Sequence, residues 1–312
     1  MERRRLGRRG PEVTRLGLGG APLGNMYTAV SDDDAAATVD AAWSAGIRYF
    51  DTAPFYGHGL AETRLGRALT NRPRDEYVIS TKVGRVLVPA HNADTSIFVV
   101  APDSAPVFDY SRDGVRRSLD ASLERLGLDR VDVVLVHDPD RHETEARNGA
   151  FPALVELRDQ GVVGAVGAGM NQYAMLSRFV DEVDLDCVLL AGRYTLLDRS
   201  GAELLERCAE RSVGVILGGV FNSGVLARPE PGATYDYGEA SPAVIDAAQH
   251  YERVARDHGV PLQALALQFA LRHAAVTSVV VGARTADEIR FDADCAIRPI
   301  DDALWPAIDS RP

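Results

Sequence analysis

Apolar residues along this chain fall into short runs rich in β-branched side chains, each followed by a longer stretch with helical spacing. The runs at 15–19, 48–51, 77–82, 131–137, 163–168, 187–191, 214–217 and 278–281 predict strands. Several are almost continuously apolar, as in Val131-Asp132-Val133-Val134-Leu135-Val136, the pattern of strands covered on both faces. The intervening spacing predicts helices over 32–45, 61–69, 112–126, 151–160, 173–183, 202–211, 242–258 and 262–273, with a short last one over 286–293. Ser31, followed by three acids, and Ser111 read as N-caps, while Gly127 and Gly161 end their helices.

Strands alternating with helices predict a parallel sheet with right-handed crossovers. A doubly wound dinucleotide fold would carry G-x-G-x-x-G directly after a strand. Gly17-Leu18-Gly19-Gly20-Ala21-Pro22 and Gly167-Ala168-Gly169-Met170-Asn171-Gln172 both fail at the third glycine. Eight strands therefore point to a closed (β/α)8 TIM barrel, an α/β fold forming one domain over residues 1–312. Residues 6–14, with Gly10-Pro11 as the turn, predict a small β-hairpin plugging the barrel's N-terminal end. The segments 83–110, with Pro89, Pro102 and Pro106, and 221–241, rich in Gly and Pro, lack periodicity and read as long loops. Both follow strand ends, so both rise from the C-terminal face, where barrels of this kind keep their sites.

A chain of 312 residues, 46% apolar and 25% charged, buries an ample core without staples. Its net charge of −11 excludes a general nucleic-acid binder, because phosphate binding needs a basic surface. Cys187, Cys208 and Cys295 are odd in number and widely spaced, which argues for a reducing compartment rather than a disulfide framework. The early arginines lack a following apolar stretch, and no run approaches the roughly 18 apolar residues of a membrane span. A cytoplasmic protein without a membrane partner is the expectation; the pattern fixes no oligomeric state.

Chemistry in a barrel comes from polar residues at strand tips. The second strand runs into Asp51-Thr52-Ala53-Pro54-Phe55-Tyr56-Gly57, the third ends in Ser80-Thr81-Lys82, and the fourth ends in His137-Asp138-Pro139-Asp140. Asp51 and Lys82 close largely apolar strands, so both are desolvated, and buried charges pair. On neighbouring strands about 4.8 Å apart they reach each other. A tyrosine hydroxyl near that ammonium has its phenolate favoured. At about 4 Å and an effective dielectric of about 20 the attraction is about 4 kcal/mol, an upper bound of about three pKa units. Tyr56 is thereby expected to become acidic enough for proton transfer, with His137 orienting the reacting oxygen. Singly, each has a plainer reading: Asp51 as a turn cap, Tyr56 as a rim aromatic, Lys82 as a snorkelling stem, His137 as a structural group. Their joint placement at three adjacent tips favours catalysis.

These strings resemble the aldo-keto reductase superfamily, above all Asp51-Thr52-Ala53 with Tyr56-Gly57, Ser80-Thr81-Lys82 and Val136-His137-Asp138-Pro139-Asp140. The likeness runs over nearly the whole chain, from Leu6-Gly7 to Gly282-Ala283-Arg284. It implies Asp51, Tyr56, Lys82 and His137 as a catalytic tetrad with Tyr56 the general acid/base. It also implies a nicotinamide cofactor, NAD or NADP, bound extended across the barrel mouth, and no metal. Lys82-Val83-Gly84-Arg85, Phe108-Asp109-Tyr110-Ser111, Gly169-Met170-Asn171-Gln172 and Phe221-Asn222-Ser223-Gly224 resemble the aldose 1-dehydrogenase subgroup. Members of that subgroup are named for L-fucose, D-threo-aldoses or L-galactose, with a pyridoxal 4-dehydrogenase as near relative. The implied reaction is oxidation of a sugar hemiacetal to a lactone by hydride transfer, Tyr56 taking the anomeric proton.

By the same resemblance, Asn171 substitutes for the Ser-Asn pair that commonly holds the carboxamide. The usual strand-six Gln falls near Ala191 and is absent, or replaced by Arg193 or Tyr194. Phe221 takes the place of a stacking Tyr. Phosphate contacts are expected from the backbone amides of residues 221–225, among them Ser223 and Gly224, and from 282–285, among them Gly282 and Arg284. Gly218 and Gly219 serve equally as plain turn residues. Glu288 falls where a basic residue often meets a 2′-phosphate, so NAD is favoured, although Arg284 keeps NADP open. Arg85, His91, Phe98, Phe108 and Asp109, together with His137, are substrate-contact candidates, and loop decoration explains the loop residues equally well. Two readings compete: a pyridoxal oxidoreductase or aldehyde/ketone reductase using the same tetrad, and a cofactor-sensing binding subunit, against which the intact tetrad argues. In the enzymatic readings the partner is a small sugar or aldehyde.

Overall fold

The computed structural model describes all residues except 92–94, 96, 311 and 312. An antiparallel hairpin, β1 (Arg3–Arg5) with β2 (Glu12–Thr14), comes first; β3 (Leu16–Gly19), β4 (Tyr49–Asp51) and β5 (Val78–Val83) then lie side by side in parallel. A second hairpin, β6 (Arg85–Pro89) with β7 (Ser104–Phe108), forms its own sheet. The barrel resumes with β8 (Val133–His137), β9 (Ala165–Met170), β10 (Cys187–Ala191) and β11 (Gly214–Gly218). After a third hairpin, β12 (Thr234–Tyr235) with β13 (Gly238–Glu239), strand β14 (Val276–Gly282) pairs with both β11 and β3 and closes the ring. Among the described residues, eight parallel strands thus form the closed (β/α)8 barrel, each within two residues of its predicted bounds.

Side chains alternate across every strand, and this alternation builds the site. On β4, Tyr49 packs inside the barrel with Leu135, Leu189 and Ile216, whereas Phe50 packs outward with the helical layer. The same period turns Ser80 and Lys82 of β5 and His137 of β8 inward, while Ile79, Val83, Val134 and Val136 face outward. The predicted caps Ser31 and Ser111 are present, and Ser241 adds a third. Ser31, Ser111 and Ser241 side chains accept from the backbone of Asp34, Gly114 and Val244, and Gly127 ends its helix at φ 63°.

The predicted plug is present. Leu6 and Val13 are fully buried in the inner cluster. Gly7 has φ 65°, and a Cβ there would lie 2.0 Å from the Asp186 carbonyl oxygen, so the hairpin turn presses on the chain entering β10.

The structure departs from the predicted pattern in five places. Residues 83–110 hold the β6–β7 ribbon rather than a bare loop. Pro89 and Pro106 hid it, but a two-stranded ribbon leaves outer edges where a missing N–H costs nothing. Residues 221–241 hold β12–β13, joined by Asp236 and Tyr237 at φ 48° and 65°, the backbone twist usually announced by Asn-Gly. The helix Phe151–Asp159 is preceded by helical turns over Glu143–Glu145 and Ala146–Ala150, which the predicted helix over 151–160 does not include. Gly149 is there for contact: its Cβ would lie 2.4 Å from the Tyr110 carbonyl oxygen. The helix predicted to end at 293 continues to Ile297, and a short helix over Trp305–Asp309 was not signalled. Among the described residues, no helix is long and apolar enough to cross a membrane.

Leu6→Ala leaves a void beneath the barrel and is expected to cost about 2–5 kcal/mol of unfolding free energy in urea titration. A loss below about 0.5 kcal/mol, the range of a surface change, would show that the hairpin does not hold the barrel floor.

Candidate active site

Register places Asp51 beside Ser80, with Lys82 two residues further along β5. Lys82 Nζ donates to Asp51 Oδ2 at 2.7 Å, to the Thr52 carbonyl at 2.9 Å and to Tyr56 Oη at 3.0 Å. Each of the three ammonium protons therefore has an acceptor. Ser80 Oγ donates to Asp51 Oδ1 at 2.7 Å and lies 3.0 Å from the buried Tyr49 hydroxyl. The sequence expects Asp51, Lys82, Tyr56 and His137 together, and they are: the Tyr56 and His137 rings meet edge to face at 5.8 Å.

The electrostatics correct one expectation. Burial pushes the Tyr56 phenol up to about 12; Lys82 lowers it, but Asp51 and Asp138 add to the rise. No net acidification results, because losing water costs the phenolate more than it regains from an ammonium that Asp51 already neutralises. Tyr56 nonetheless keeps a part-exposed edge toward the cavity. Burial pulls Lys82 down, yet Asp51 and Tyr56 more than reverse this, and its pKa is raised. Burial, then Arg85 and Lys82, hold His137 well below the usual imidazole range, so the ring is neutral. Its buried Nδ1 has no hydrogen-bond partner. A bare lone pair is tolerated there better than a bare N–H, which assigns the proton to Nε2, 3.4 Å from Asp138 Oδ2.

These side chains line a cavity of about 560 Å³, a size usual for small-molecule sites. Asn171, Phe221, Ser223, Gly224, Gly282, Arg284 and Glu288 line it too. Their roles are not all as expected. The amides of Asn222, Gly224 and Val225 donate to carbonyls of Gly219, Phe221 and Thr234. The Arg284 amide donates to Glu288 Oε2 at 2.7 Å and its guanidinium to Oε1 at 3.3 Å. Asp292, unremarked in the sequence, also lines the cavity, and burial followed by Glu288 pushes it up to about 7. Arg193 reaches the cavity, whereas Tyr194 stacks on Phe269.

Of the substrate candidates, His137 and Phe98 line the cavity. Arg85 and Phe108 do not. They pair across the base of the β6–β7 ribbon, where the Arg85 guanidinium donates to Asp138 Oδ2 at 2.6 Å and lies between the Phe55 and Phe108 rings. Phe108 is half exposed, against Tyr110 and His142. His91 pairs with Asp103 on the surface, and Asp109 binds Ser111. Sequence reasoning missed Asp138, quoted only as the neighbour of His137, and Tyr237, whose hydroxyl lies 3.5 Å from Asn171 Nδ2. Tyr237 carried no signal, because its place depends on an unannounced hairpin turn.

The residues present fit a nicotinamide cofactor. The Asn171 amide and the unpartnered buried Oδ1 of Asn222 accompany apolar walls from Val220, Phe221, Val280 and Val281. Among the described residues, no group of three or more His, Cys, Asp or Glu side chains is arranged to hold a metal ion.

The sequence profile of the Aldo/keto reductase family matches residues 15–311. The chain is 45% identical over 306 residues to a D-threo-aldose 1-dehydrogenase from a Pseudomonas species, covering 95% of this chain and 93% of that one. It is 42% identical to a pyridoxal 4-dehydrogenase from Microbacterium luteolum, covering 99% and 97% of the two chains. A solved aldo-keto reductase from Bacillus halodurans, in its holo form, matches with a TM-score of 0.77 at 25% identity, covering 99% of this chain and 95% of that one. Barrel, cavity and sequence agree: the chain belongs to the aldo/keto reductase family and is an NAD(P)-dependent oxidoreductase acting on CH–OH groups.

Proposed function

We propose that this enzyme oxidises the hemiacetal carbon of an aldose to the lactone, with Tyr56 as general base and Asp51, Lys82 and His137 completing the catalytic group. The observation that carries this reading is the 3.0 Å contact from Lys82 Nζ to Tyr56 Oη, with Asp51 2.7 Å behind the ammonium. A bound oxidised nicotinamide supplies the hydride acceptor. Tyr56 Oη takes the proton of the anomeric hydroxyl. Lys82 stabilises the phenolate by donating to it, and Asp51 holds Lys82 in place. The neutral His137 donates from Nε2 to the reacting oxygen and orients it. Asn171, Phe221, Ser223, Gly224, Gly282 and Arg284, which line the cavity, hold the cofactor. NAD is preferred: the Glu288 carboxylate at the cavity wall would repel a 2′-phosphate held at the last helix. The pyridoxal 4-dehydrogenase relative supports a second reading, in which the same residues oxidise a pyridoxal hemiacetal.

Protein mixed with NAD and L-fucose or D-arabinose is expected to generate reduced-cofactor absorbance, and Tyr56→Phe to lower kcat by about 10²–10⁴-fold with cofactor binding unchanged. Turnover of pyridoxal alone would select the second reading, and an unimpaired variant would remove Tyr56 from its role.

With the phenol up at about 12, only a small deprotonated fraction serves as base near neutrality. Oxidation should therefore speed up from about pH 7 to about pH 10, read as kcat against pH, whereas a flat profile would mean that Tyr56 does not titrate in the working step.

Glu288→Arg replaces a repelling carboxylate with a phosphate-pairing guanidinium. The ratio of kcat/KM for NADP over NAD should rise at least about tenfold; an unchanged ratio would place the 2′ position elsewhere.

A further inference from the structure

Beside His137 stands a carboxylate that the proposed chemistry does not use. Asp138 follows the last residue of β8 and lines the same cavity, its side chain 27% exposed. Its backbone has φ 42°, a left-handed conformation uncommon for a residue with a side chain. Three hydrogen bonds maintain it. The Asp138 amide donates to the Gly169 carbonyl at 3.1 Å, and the Tyr110 hydroxyl lies 2.6 Å and 2.9 Å from the carbonyl oxygens of His137 and Asp138. A conformation held this firmly next to reacting groups is a reason to look for function.

The surroundings define what Asp138 offers. Arg85 engages one of its oxygens, Oδ2, and is withdrawn between two aromatic rings, so the carboxylate and not the guanidinium borders the cavity. His137 Nε2 is 3.4 Å from the same oxygen. The wall therefore presents an N–H donor and an anionic acceptor about one hydrogen-bond length apart. Oxygens on adjacent carbons of a sugar ring are spaced similarly. The oxygen on carbon one accepts from His137, and the hydroxyl on carbon two has a proton to give.

We propose that Asp138 is a specificity-determining residue that accepts a hydrogen bond from the hydroxyl on the carbon next to the one oxidised, so the enzyme selects 2-hydroxy aldoses over 2-deoxy sugars and simple aldehydes. This rests on the aldose reading above. Arg85 is its positioning partner, fixing the carboxylate and keeping it ionised beside Lys82 and Tyr56. Asparagine tolerates the left-handed backbone, which makes Asp138→Asn the mildest probe. Arg85 only donates, so it turns the new carbonyl oxygen toward itself and leaves an amide N–H₂ toward the cavity.

The experiment uses D-arabinose and 2-deoxy-D-ribose, which share every stereocentre except the one lost with the 2-hydroxyl. Wild-type protein with NAD is expected to favour D-arabinose in kcat/KM by about tenfold or more, and Asp138→Asn to collapse that ratio by about tenfold through D-arabinose alone. Cofactor binding and thermal melting of the variant check that it is folded. Because both sugars are measured on one preparation, partial misfolding leaves the ratio untouched. Wild-type protein that treats the two sugars alike, or a variant that loses both equally, overturns the inference alone; in the second case Asp138 acts on His137 rather than on substrate. Wild-type protein that oxidises neither sugar overturns the aldose reading, and this inference falls with it.

Discussion

The ion pair between Lys82 and Asp51 is the interaction on which the remainder of the site depends. Both side chains are nearly sealed from solvent, at 1% and 3% exposure. Removing each charge from water costs several kcal/mol, and attraction alone does not reliably return it. The balance closes because the ammonium meets three acceptors and Asp51 receives donors from both Lys82 and Ser80. One of the three acceptors is the Tyr56 hydroxyl. The pair therefore does not close on itself; it spends part of its hydrogen-bonding capacity on locating a phenol at the cavity wall.

That location is a product of the barrel. Period-two alternation turns Lys82 inward and its neighbour Thr81 outward on the same strand. Thr81 Oγ1 donates to the fully buried Glu62 at 2.6 Å, and Arg125 donates to the other Glu62 oxygen at 2.7 Å. Glu62 lies on the helix Leu60–Leu69, which begins just after the turn carrying Tyr56. One strand thus fixes the ammonium on its inner face and, through the Thr81 hydrogen bond to Glu62, the helix behind Tyr56 on its outer face. A shift of β5 by one residue would exchange the two and abolish both.

Around this centre the cavity wall divides by charge. Lys82 and the withdrawn Arg85 hold Asp138 beside the neutral His137, while Arg284, Glu288 and Asp292 form a separate charged cluster at the last helix. Burial raises both Asp138 and Asp292, to about 6 and about 7, as carboxylates in partly desolvated surroundings. Arg193 pairs with Asp236 in the β12–β13 turn, which brings Tyr237 over Asn171. Loops from different strands thereby meet over one pocket, as the fold class provides.

The sequence by itself determined the eight strands, the covering helices, their serine caps, the plugging hairpin and the pairing of Asp51 with Lys82. These follow from local periodicity and from the rule that adjacent buried charges must meet, so neighbouring residues carry the information. The β6–β7 and β12–β13 ribbons escaped because proline and Asp-Tyr do not advertise them, and their pairing is set by what they pack against. The sign of the Tyr56 shift escaped too, since it weighs burial from all sides against a single nearby charge. For the same reason the withdrawal of Arg85 and Phe108 and the arrival of Asp138 and Asp292 in the cavity were decided only by tertiary structure. Each depends on distances between segments far apart in the chain, which composition and spacing do not encode.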